Sequence, residues 1–274
     1  MRIINSNLYE FDETIGGLAV RSEVAFPPEL SNKTQIALEK ILEEDHPNLD
    51  YIGLTFESIM KENSDDFKAY RAYPIISNNF TPMNQEAIYT IKIPRENNKW
   101  KINLESQLRT RYLEPHEDLL VKNYEDNGID YAIDIQSLLD ENDMSNMSRI
   151  IHVDDDKEFM ISKYMPGIVV NDLNKLNLET LSNLAYLVGN LNSKSILFAD
   201  FHDHNIVVDE KTPYLIDHLS FVKTSEPGKH NHRDLMKLVG SYQDTNEGAE
   251  YIYNKVDTSY NRGYNESWRY YWII

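Results

Sequence analysis

The sequence predicts an α+β protein in which a small antiparallel β layer is followed by a helical part. Three observations support this. Apolar residues alternate in short runs before residue 165, they recur at helical spacing after residue 177, and short apolar strands flank a polar loop near residue 200. We expect an α/β extension over residues 1–95, a β-rich lobe over 96–166 and a compact helical lobe over 167–274.

The N-terminal extension is expected to contain two helices and a strand. Ser31 can cap a helix that runs to about His46. The predicted buried face of this helix consists of Ile36, Ile41 and Leu42. A second short helix is expected over residues 56–61, and the alternation in residues 87–93 predicts a strand that ends at Pro94. The extension contains no nucleotide-binding motif.

The β-rich lobe is predicted to contain three strands, a helix and a hairpin, in that order. These elements are expected at residues 101–104, 112–113, 119–124, 129–141, 149–153 and 159–164. The helix is indicated by Ala132, Ile135, Leu138 and Leu139, which recur at helical spacing. The order strand–strand–strand–helix–strand–strand ends at Met165-Pro-Gly167.

The helical lobe is predicted to contain a long helix that Asn177 caps, a short hairpin and a further helix over 232–242. The long helix has its apolar residues on one face, at Leu178, Leu181, Leu184, Val188 and Leu191. The hairpin is predicted from the apolar runs 206–208 and 214–216, which are joined by the turn 210–213.

Three polar residues flank this hairpin: Asp200, then Asn205 five residues later, then Asp217 twelve residues after that. Magnesium prefers oxygen ligands, which Asn205 and Asp217 can supply. Asp200 can accept a hydrogen bond from an incoming hydroxyl group. Phosphoryl transfer needs such an acceptor together with neutralised phosphate charge and a Lys that contacts the other phosphates. Lys122, in the predicted strand 119–124, is the candidate for that Lys.

These residues resemble the protein-kinase-like superfamily, which includes the aminoglycoside phosphotransferases. The family's catalytic loop reads roughly H-x-D-x-[KH]-x-x-N, and this chain has Phe198-Ala-Asp-Phe-His-Asp-His-Asn205. Asp217-His-Leu corresponds to the second motif, D-F-G. The resemblance implies a two-lobed kinase-like fold, with an antiparallel β N-lobe, a reduced helical C-lobe, a hinge near 163–167 and ATP between the lobes.

The resemblance also implies roles for individual residues. Asp200 carries over as the catalytic base, Asn205 and Asp217 as Mg²⁺ ligands, and Lys122 as the phosphate contact. His202 joins the catalytic set because aminoglycoside-type and some phage-encoded protein kinases have His at that position. Asp134 is the expected helix acid that pairs with Lys122.

The expected phosphate loop departs from the family because residues 104–112 contain no Gly. Its candidate ATP contacts are the hydroxyls of Ser106 and Thr110 and the charge of Arg109 or Arg111. Lys92 also lies in a predicted strand. We set it aside as the phosphate contact because the strand is not followed, in the required order, by a helix that precedes the hinge.

The sequence from Pro213 to Phe221 is similar to the P-Y-(I/L)-x-D-x-x-S-F stretch of compact phage and bacterial effector kinases. It favours a Ser/Thr protein kinase whose cofactors are ATP and Mg²⁺. The alternatives are a kinase of a small cationic hydroxyl compound, such as an aminoglycoside or a choline-like molecule, and a pseudokinase that acts as a binding module.

Composition limits the partners. The net charge of −18 disfavours nucleic acid and anionic membrane surfaces, and it favours cationic substrates. There is no Cys and no long apolar run, so we expect a soluble, cytoplasmic protein, with secretion into a host cell as an alternative. A metal-dependent hydrolase is a rival class, in which His202, His204 and His218 would bind a transition metal.

Overall fold

The structure is a computed structural model, and it divides the chain into two compact units. One unit comprises Met1–Asn98 and Ile150–Tyr164, and the other comprises Lys99–Arg149 and Met165–Ile274. The chain passes between the units three times, and the third passage, from Tyr164 to Met165, falls within the predicted hinge segment. The residues that the structure describes are 10–15, 18–23, 30–48, 51–58, 67–76, 87–94, 100, 128–170, 176–225, 227–240 and 248–269.

The first unit contains a hairpin, a helix and a five-stranded sheet. The hairpin pairs β1 (Glu10–Ile15) with β2 (Leu18–Glu23), and the helix is α1 (Asn32–Asp45). The sheet strands are β3 (Tyr51–Ser58), β4 (Phe67–Ile76), β5 (Tyr89–Pro94), β6 (Ile150–Val153) and β7 (Met160–Lys163). Their order is β3-β4-β5-β7-β6, and every neighbouring pair is antiparallel.

Helix α1 packs on one face of this sheet. Its N-terminus is capped as predicted, since the Ser31 hydroxyl accepts a hydrogen bond from the Thr34 amide. The core between helix and sheet is formed mainly by Leu38, Leu42, Tyr70, Tyr89, Ile91, Phe159 and Ile161. The prediction that Ile36 faces this core is wrong, because 64% of Ile36 is exposed and Leu38 occupies the buried position.

Strand β5 joins strands from both sides of the boundary that the sequence placed at residue 95. It pairs with β4 on one side and with β7 on the other, so β3, β4 and β5 share one sheet with β6 and β7. The helix predicted over 56–61 is also wrong at its start, because Phe56 lies in β3 and is opposite Ala72 of β4. The local sequence pattern favours a helix here, but pairing with β4 makes the segment a strand.

The first elements described in the second unit are α2 (Gly128–Glu141), which was predicted, and the two-residue strand β8 (Ile168–Val169). The other elements are α3 (Leu178–Ser193), β9 (Ile196–Phe198), β10 (Ile206–Asp209), β11 (Thr212–Leu215), β12 (Phe221–Lys223), α4 (Pro227–Gly240) and α5 (Ala249–Arg269). The sheets are β11-β10-β8 and β12-β9. The predicted hairpin therefore exists, and the helix predicted over 232–242 starts earlier, at Pro227.

Among the described residues, the order strand–strand–strand–helix–strand–strand is made by β3, β4, β5, α2, β6 and β7. The strands predicted at 101–104, 112–113 and 119–124 lie outside the described residues. Among the helices that the structure does describe, none combines the length and the apolar character needed to cross a membrane.

Helix α3 is the centre of the second unit. Asn177 caps it as predicted, by accepting a hydrogen bond from the Thr180 amide at 2.8 Å. Leu181, Leu184, Val188 and Leu191 are fully buried. Each such side chain contributes about 1.5–3 kcal/mol of transfer free energy. Helix α5 lies close against α3, because Gly189 and Gly263 let each backbone approach the other: an added Cβ at either would lie 2.1 Å from a carbonyl oxygen of the facing helix.

We expect Gly263→Ala to lower the free energy of unfolding by at least about 1–3 kcal/mol, the range for overpacked cores. The new methyl would meet the Tyr186 carbonyl oxygen, which belongs to a helix backbone and cannot rotate away. The measurement is urea denaturation. Gly248→Ala is the matched control because nothing lies within 4 Å of a Cβ there. Equal stability of the two variants would contradict the close approach of α3 and α5.

Candidate active site

The polar loop that contains the candidate catalytic residues begins at the end of β9. The Phe198 side chain is fully buried, and its ring stacks on Phe221 at a centroid distance of 5.2 Å. Phe198 pairs with Phe221 across β9 and β12, and the Ala199 amide donates to the Ser220 carbonyl at 2.8 Å. This pairing continues to the residue before Asp200, so the position of Asp200 is set by β12.

Asn231 of α4 holds the same strand end from the other side. Its Nδ2 donates to the Phe198 carbonyl oxygen at 2.8 Å, and its Oδ1 accepts from the Phe198 amide at 2.9 Å. Asn231 is completely buried. Because a buried backbone group that loses its partner costs about 1–3 kcal/mol, these two hydrogen bonds strongly favour one position of the backbone at Phe198.

Asp200, His202 and Asn205 form a triangle of side chains in which His202 and Asn205 both donate to Asp200. His202 Nε2 lies 3.0 Å from Asp200 Oδ2, and Asn205 Nδ2 lies 2.9 Å from the same oxygen and 3.1 Å from the Asp200 carbonyl. Both of these groups are acceptors, so the Asn205 amide nitrogen must face Asp200. The Asn205 carbonyl oxygen is therefore the atom through which Asn205 can bind a cation.

The neutral His202 ring has a defined tautomer. Its Nδ1 accepts a hydrogen bond from the His204 amide at 3.1 Å, so the proton is on Nε2 and is donated to Asp200. The hydrogen bond to Asp200 raises the pKa of His202 above its ordinary value of 6.5; burial opposes this, and the charges of Asp200, Asp203 and Asp217 add to it. Protonation of His202 therefore stabilises the fold below pH 6.5, and this contribution is lost as the pH rises through the raised pKa.

The hairpin of β10 and β11 brings Asp217 next to Asn205. Ile206 pairs with Leu215, and the Ile216 amide donates to the Asn205 carbonyl at 3.0 Å. Asp217 follows directly, with φ of 77° and ψ of 87°. A non-glycine residue in this left-handed region costs about 1–3 kcal/mol, which the surrounding contacts must offset.

Ser220 provides the contacts that hold Asp217. Its hydroxyl donates to Asp217 Oδ2 at 2.8 Å, and its amide donates to the Asp217 carbonyl at 3.0 Å. The Ser220 carbonyl accepts from the Ala199 amide. One fully buried residue thus joins the loop of Asp217 to the loop of Asp200.

The donor set fits magnesium. Asn205 and Asp217 offer one amide oxygen and one carboxylate, and magnesium commonly takes one or two carboxylates while phosphates and water fill its other positions. Within the described part of the chain, no group of three or more His, Cys, Asp or Glu side chains is placed to hold a metal ion. The trio of the hydrolase hypothesis does not assemble there: the His204 side chain is 71% exposed, whereas only 2% of His218 is exposed.

The roles of the predicted ATP contacts all remain predictions. Lys122, Ser106, Arg109 and Thr110 lie outside the described residues, and their roles remain predictions. Asp134 lies on the exposed side of α2, whereas Ile135 and Leu139 of the same helix are in the core. Its pairing with Lys122 remains a prediction as well.

Lys92 was set aside as the phosphate contact because of the order of the predicted elements. It lies on β5, the central strand of the sheet, where it is opposite Ala69 and Met160. Helix α2 and strands β6 and β7 do follow it, in the order that was thought to be missing. Ile91 faces α1, so the strand pleat places Lys92 on the other face of the sheet. Its Nζ lies 5.9 Å from the Phe67 ring centroid.

Sequence reasoning missed Asn231 and Ser220 as supports of the site. Ser220 was visible in the similarity of residues 213–221 to compact kinases, but that similarity assigned it no role. Asn231 is 33 residues from Phe198, and an Asn inside a predicted helix carries no local signal of such a contact.

No family model matches the chain, and no curated protein matches it. Among solved structures, the apo form of PpkA-294, from a bacterial Ser/Thr kinase, has 17% sequence identity and a TM-score of 0.36. The match covers 68% of this chain and 63% of that chain's length. The structure itself is a mixed α+β fold with antiparallel sheets, which is compatible with a kinase-like fold.

The Asp200 contact predicts the titration of His202. In the metal-free protein, NMR should show a His202 pKa above 6.5, and Asp200→Asn should lower it because the carboxylate that stabilises the charged ring is gone. Asp209→Asn, an exposed change on the neighbouring strand β10, should leave the pKa unchanged. A His202 pKa that does not respond to Asp200→Asn would contradict the geometry of the triangle.

Proposed function

We propose that this protein is an ATP- and Mg²⁺-dependent phosphotransferase. The observation that carries the proposal is the arrangement around Asn205. Its amide nitrogen binds Asp200, its backbone carbonyl binds the Ile216 amide next to Asp217, and its side-chain oxygen is left as a cation ligand. A base and a two-oxygen metal site joined in this way are what phosphoryl transfer requires.

In the proposed reaction Asp200 accepts the hydrogen bond of the incoming hydroxyl group. The hydroxyl oxygen forms a bond to the γ-phosphorus of ATP, the bond from that phosphorus to the bridging oxygen breaks, and the hydroxyl proton passes to Asp200. ADP is the leaving group. The Asp200 side chain is 26% exposed, so a substrate can reach it. His202 and Asn205 fix the orientation of its carboxylate.

Magnesium, held by Asn205 and Asp217, would neutralise phosphate charge. The left-handed backbone at Asp217 and the Ser220 hydrogen bonds set where its carboxylate lies. Pre-set ligands lose little freedom when the metal nucleotide binds, which supports the assignment of Asp217 to the metal.

We further propose that Lys92, instead of Lys122, contacts the phosphates that are not transferred. The support is its place on the central strand β5 and the element order that follows it. If Lys92 has this role, the β3–β4 connection, residues 59–66, becomes the candidate phosphate loop. It contains no Gly, and neither does the loop over residues 104–112 that was expected from the sequence. Phosphate binding would then depend more on side-chain charge than on close backbone approach.

The substrate class that we favour is a Ser or Thr hydroxyl of a protein, on the similarity of residues 213–221 to compact protein kinases. A small cationic hydroxyl compound is the second candidate. It is favoured by the net charge of −18 and by the three carboxylates of Asp200, Asp203 and Asp217 that act on His202.

Incubation with labelled ATP and Mg²⁺ tests the reaction. We expect label transfer with the wild type, and we expect Asp200→Asn and Asp217→Ala each to lower the rate by about 100-fold or more. A cell lysate and a set of aminoglycosides and choline are the two acceptor arms, and Asp209→Asn is the control. If the wild type labels neither arm above the Asp217→Ala background, active phosphotransfer is wrong. Nucleotide binding by the wild type would then identify a pseudokinase.

The two lysines can be separated by matched variants. We expect Lys92→Ala to lower phosphoryl transfer or ATP affinity by at least about tenfold, because one charged contact to phosphate is lost. Lys122→Ala should stay within about twofold of the wild type, a difference of less than half a kcal/mol. The opposite result, with Lys122→Ala as the damaged variant, would restore the first assignment. Circular dichroism of both variants checks that the fold is kept.

A further inference from the structure

A continuous chain of hydrogen bonds runs through the apolar core of the second unit. Its side chains are Tyr260 of α5, Asn192 of α3 and Asn231 of α4, with exposed fractions of 5%, 2% and 0%. They are surrounded by core residues such as Leu191, Phe198, Leu235 and Val256. Buried polar groups in such a core are costly unless every one has a partner.

Every link in the chain has a matched donor and acceptor. The Tyr260 hydroxyl donates to Asn192 Oδ1 at 2.9 Å, and Asn192 Nδ2 donates to Asn231 Oδ1 at 2.9 Å and to the Ile196 carbonyl at 2.8 Å. Asn231 then binds both backbone groups of Phe198. Because each amide nitrogen faces carbonyl oxygens, neither amide can turn over without losing its bonds.

The direction of these hydrogen bonds fixes how Asn192 and Asn231 are oriented towards Phe198. With its oxygen taken up by the Tyr260 hydroxyl, Asn192 presents its amide nitrogen to β9 and to Asn231. Asn231 in turn presents one oxygen and one nitrogen to Phe198, two residues before Asp200. Loss of the Tyr260 hydroxyl removes the hydrogen bond that fixes Asn192 Oδ1, and we expect this to weaken the contact that holds the loop of Asp200 in place.

We propose that Tyr260 and Asn192 are positioning residues for Asp200, so that the last described helix, α5, is part of the catalytic apparatus. The catalytic part of this claim rests on the proposed function. The positional part, that Tyr260 holds the backbone at Phe198 through Asn192 and Asn231, does not.

The Tyr260 ring is itself held on several sides. The His232 ring lies 4.8 Å away between centroids, and His232 Nε2 lies 2.7 Å from Asp257 Oδ1 on the same helix as Tyr260. At the start of α4, a Cβ added to Gly228 would lie 2.7 Å from the Tyr260 hydroxyl oxygen. Burial raises the pKa of Tyr260 well above its usual range, so the hydroxyl remains a donor at all physiological pH values.

Two conservative variants and one control test the positional claim. Tyr260→Phe removes only the hydroxyl. Asn192→Asp keeps an acceptor for Tyr260 but turns carboxylate oxygens towards the Ile196 carbonyl and Asn231 Oδ1. We expect amide hydrogen exchange at Phe198 to become at least about tenfold faster in both, with shifted His202 ring signals. Tyr253→Phe, the same change at a 45% exposed position of α5, should match the wild type.

Gly228→Ala perturbs the same hydroxyl from the other side without altering any member of the chain. The added methyl group must displace the Tyr260 hydroxyl, so Phe198 exchange should again become faster. Phe198 exchange within twofold of the wild type in Tyr260→Phe and in Gly228→Ala, with both variants folded by thermal denaturation, would overturn the proposal.

Kinetics test the catalytic part and separate it from the proposed function. If the wild type transfers phosphate, Tyr260→Phe should lower kcat by about tenfold and leave the KM for ATP unchanged, because the loop is mispositioned and the metal site is kept. An unchanged kcat in a variant with fast Phe198 exchange would overturn the catalytic part. If the wild type transfers no phosphate, the proposed function fails, and Phe198 exchange alone decides whether Tyr260 positions the loop.

Discussion

The two hydrogen bonds between the Asn231 side chain and the backbone of Phe198 are the constraint on which the rest of the candidate site depends. Both hydrogen bonds lie in a core that excludes water, where a backbone group without a partner is costly. They fix the end of β9, and β12 pairs with that end from the other side. Asp200 follows two residues later. Its backbone position is therefore set by the contacts of Phe198, in addition to the hydrogen bonds that the Asp200 side chain makes itself.

A second support comes from the hairpin of β10 and β11. Its register places the Asn205 carbonyl opposite the Ile216 amide, and Ser220 ties Asp217 back to Ala199. Strand pairs and short turns therefore connect the loop of Asp200 to the loop of Asp217 on both sides. Backbone hydrogen bonds hold both residues in place. That rigidity allows Asp217 to keep its left-handed conformation.

The sequence predicted the parts of this arrangement that are local. The spacing of Asp200, His202 and Asn205 lies within one loop, the hairpin was visible from its apolar runs, and Ser31 and Asn177 cap their helices as expected. Contacts between distant segments were not predictable. The pairing of β5 with β7, the strand character of Phe56 and the clamp by Asn231 depend on packing partners that no short window contains. Lys92 shows the consequence, since its strand was recognised but its place in the sheet was not.

We propose that Asn205 and Asp217 hold the metal of a bound nucleotide. A crystal structure with a non-hydrolysable ATP analogue and Mn²⁺ in place of Mg²⁺ tests it most directly, because the anomalous signal of Mn²⁺ locates the ion independently of the nucleotide. We expect one Mn²⁺ that is bonded to Asn205 Oδ1, to an Asp217 carboxylate oxygen and to phosphate oxygens. Mn²⁺ on other side chains, or a nucleotide whose phosphates lie away from Asp217, would contradict it.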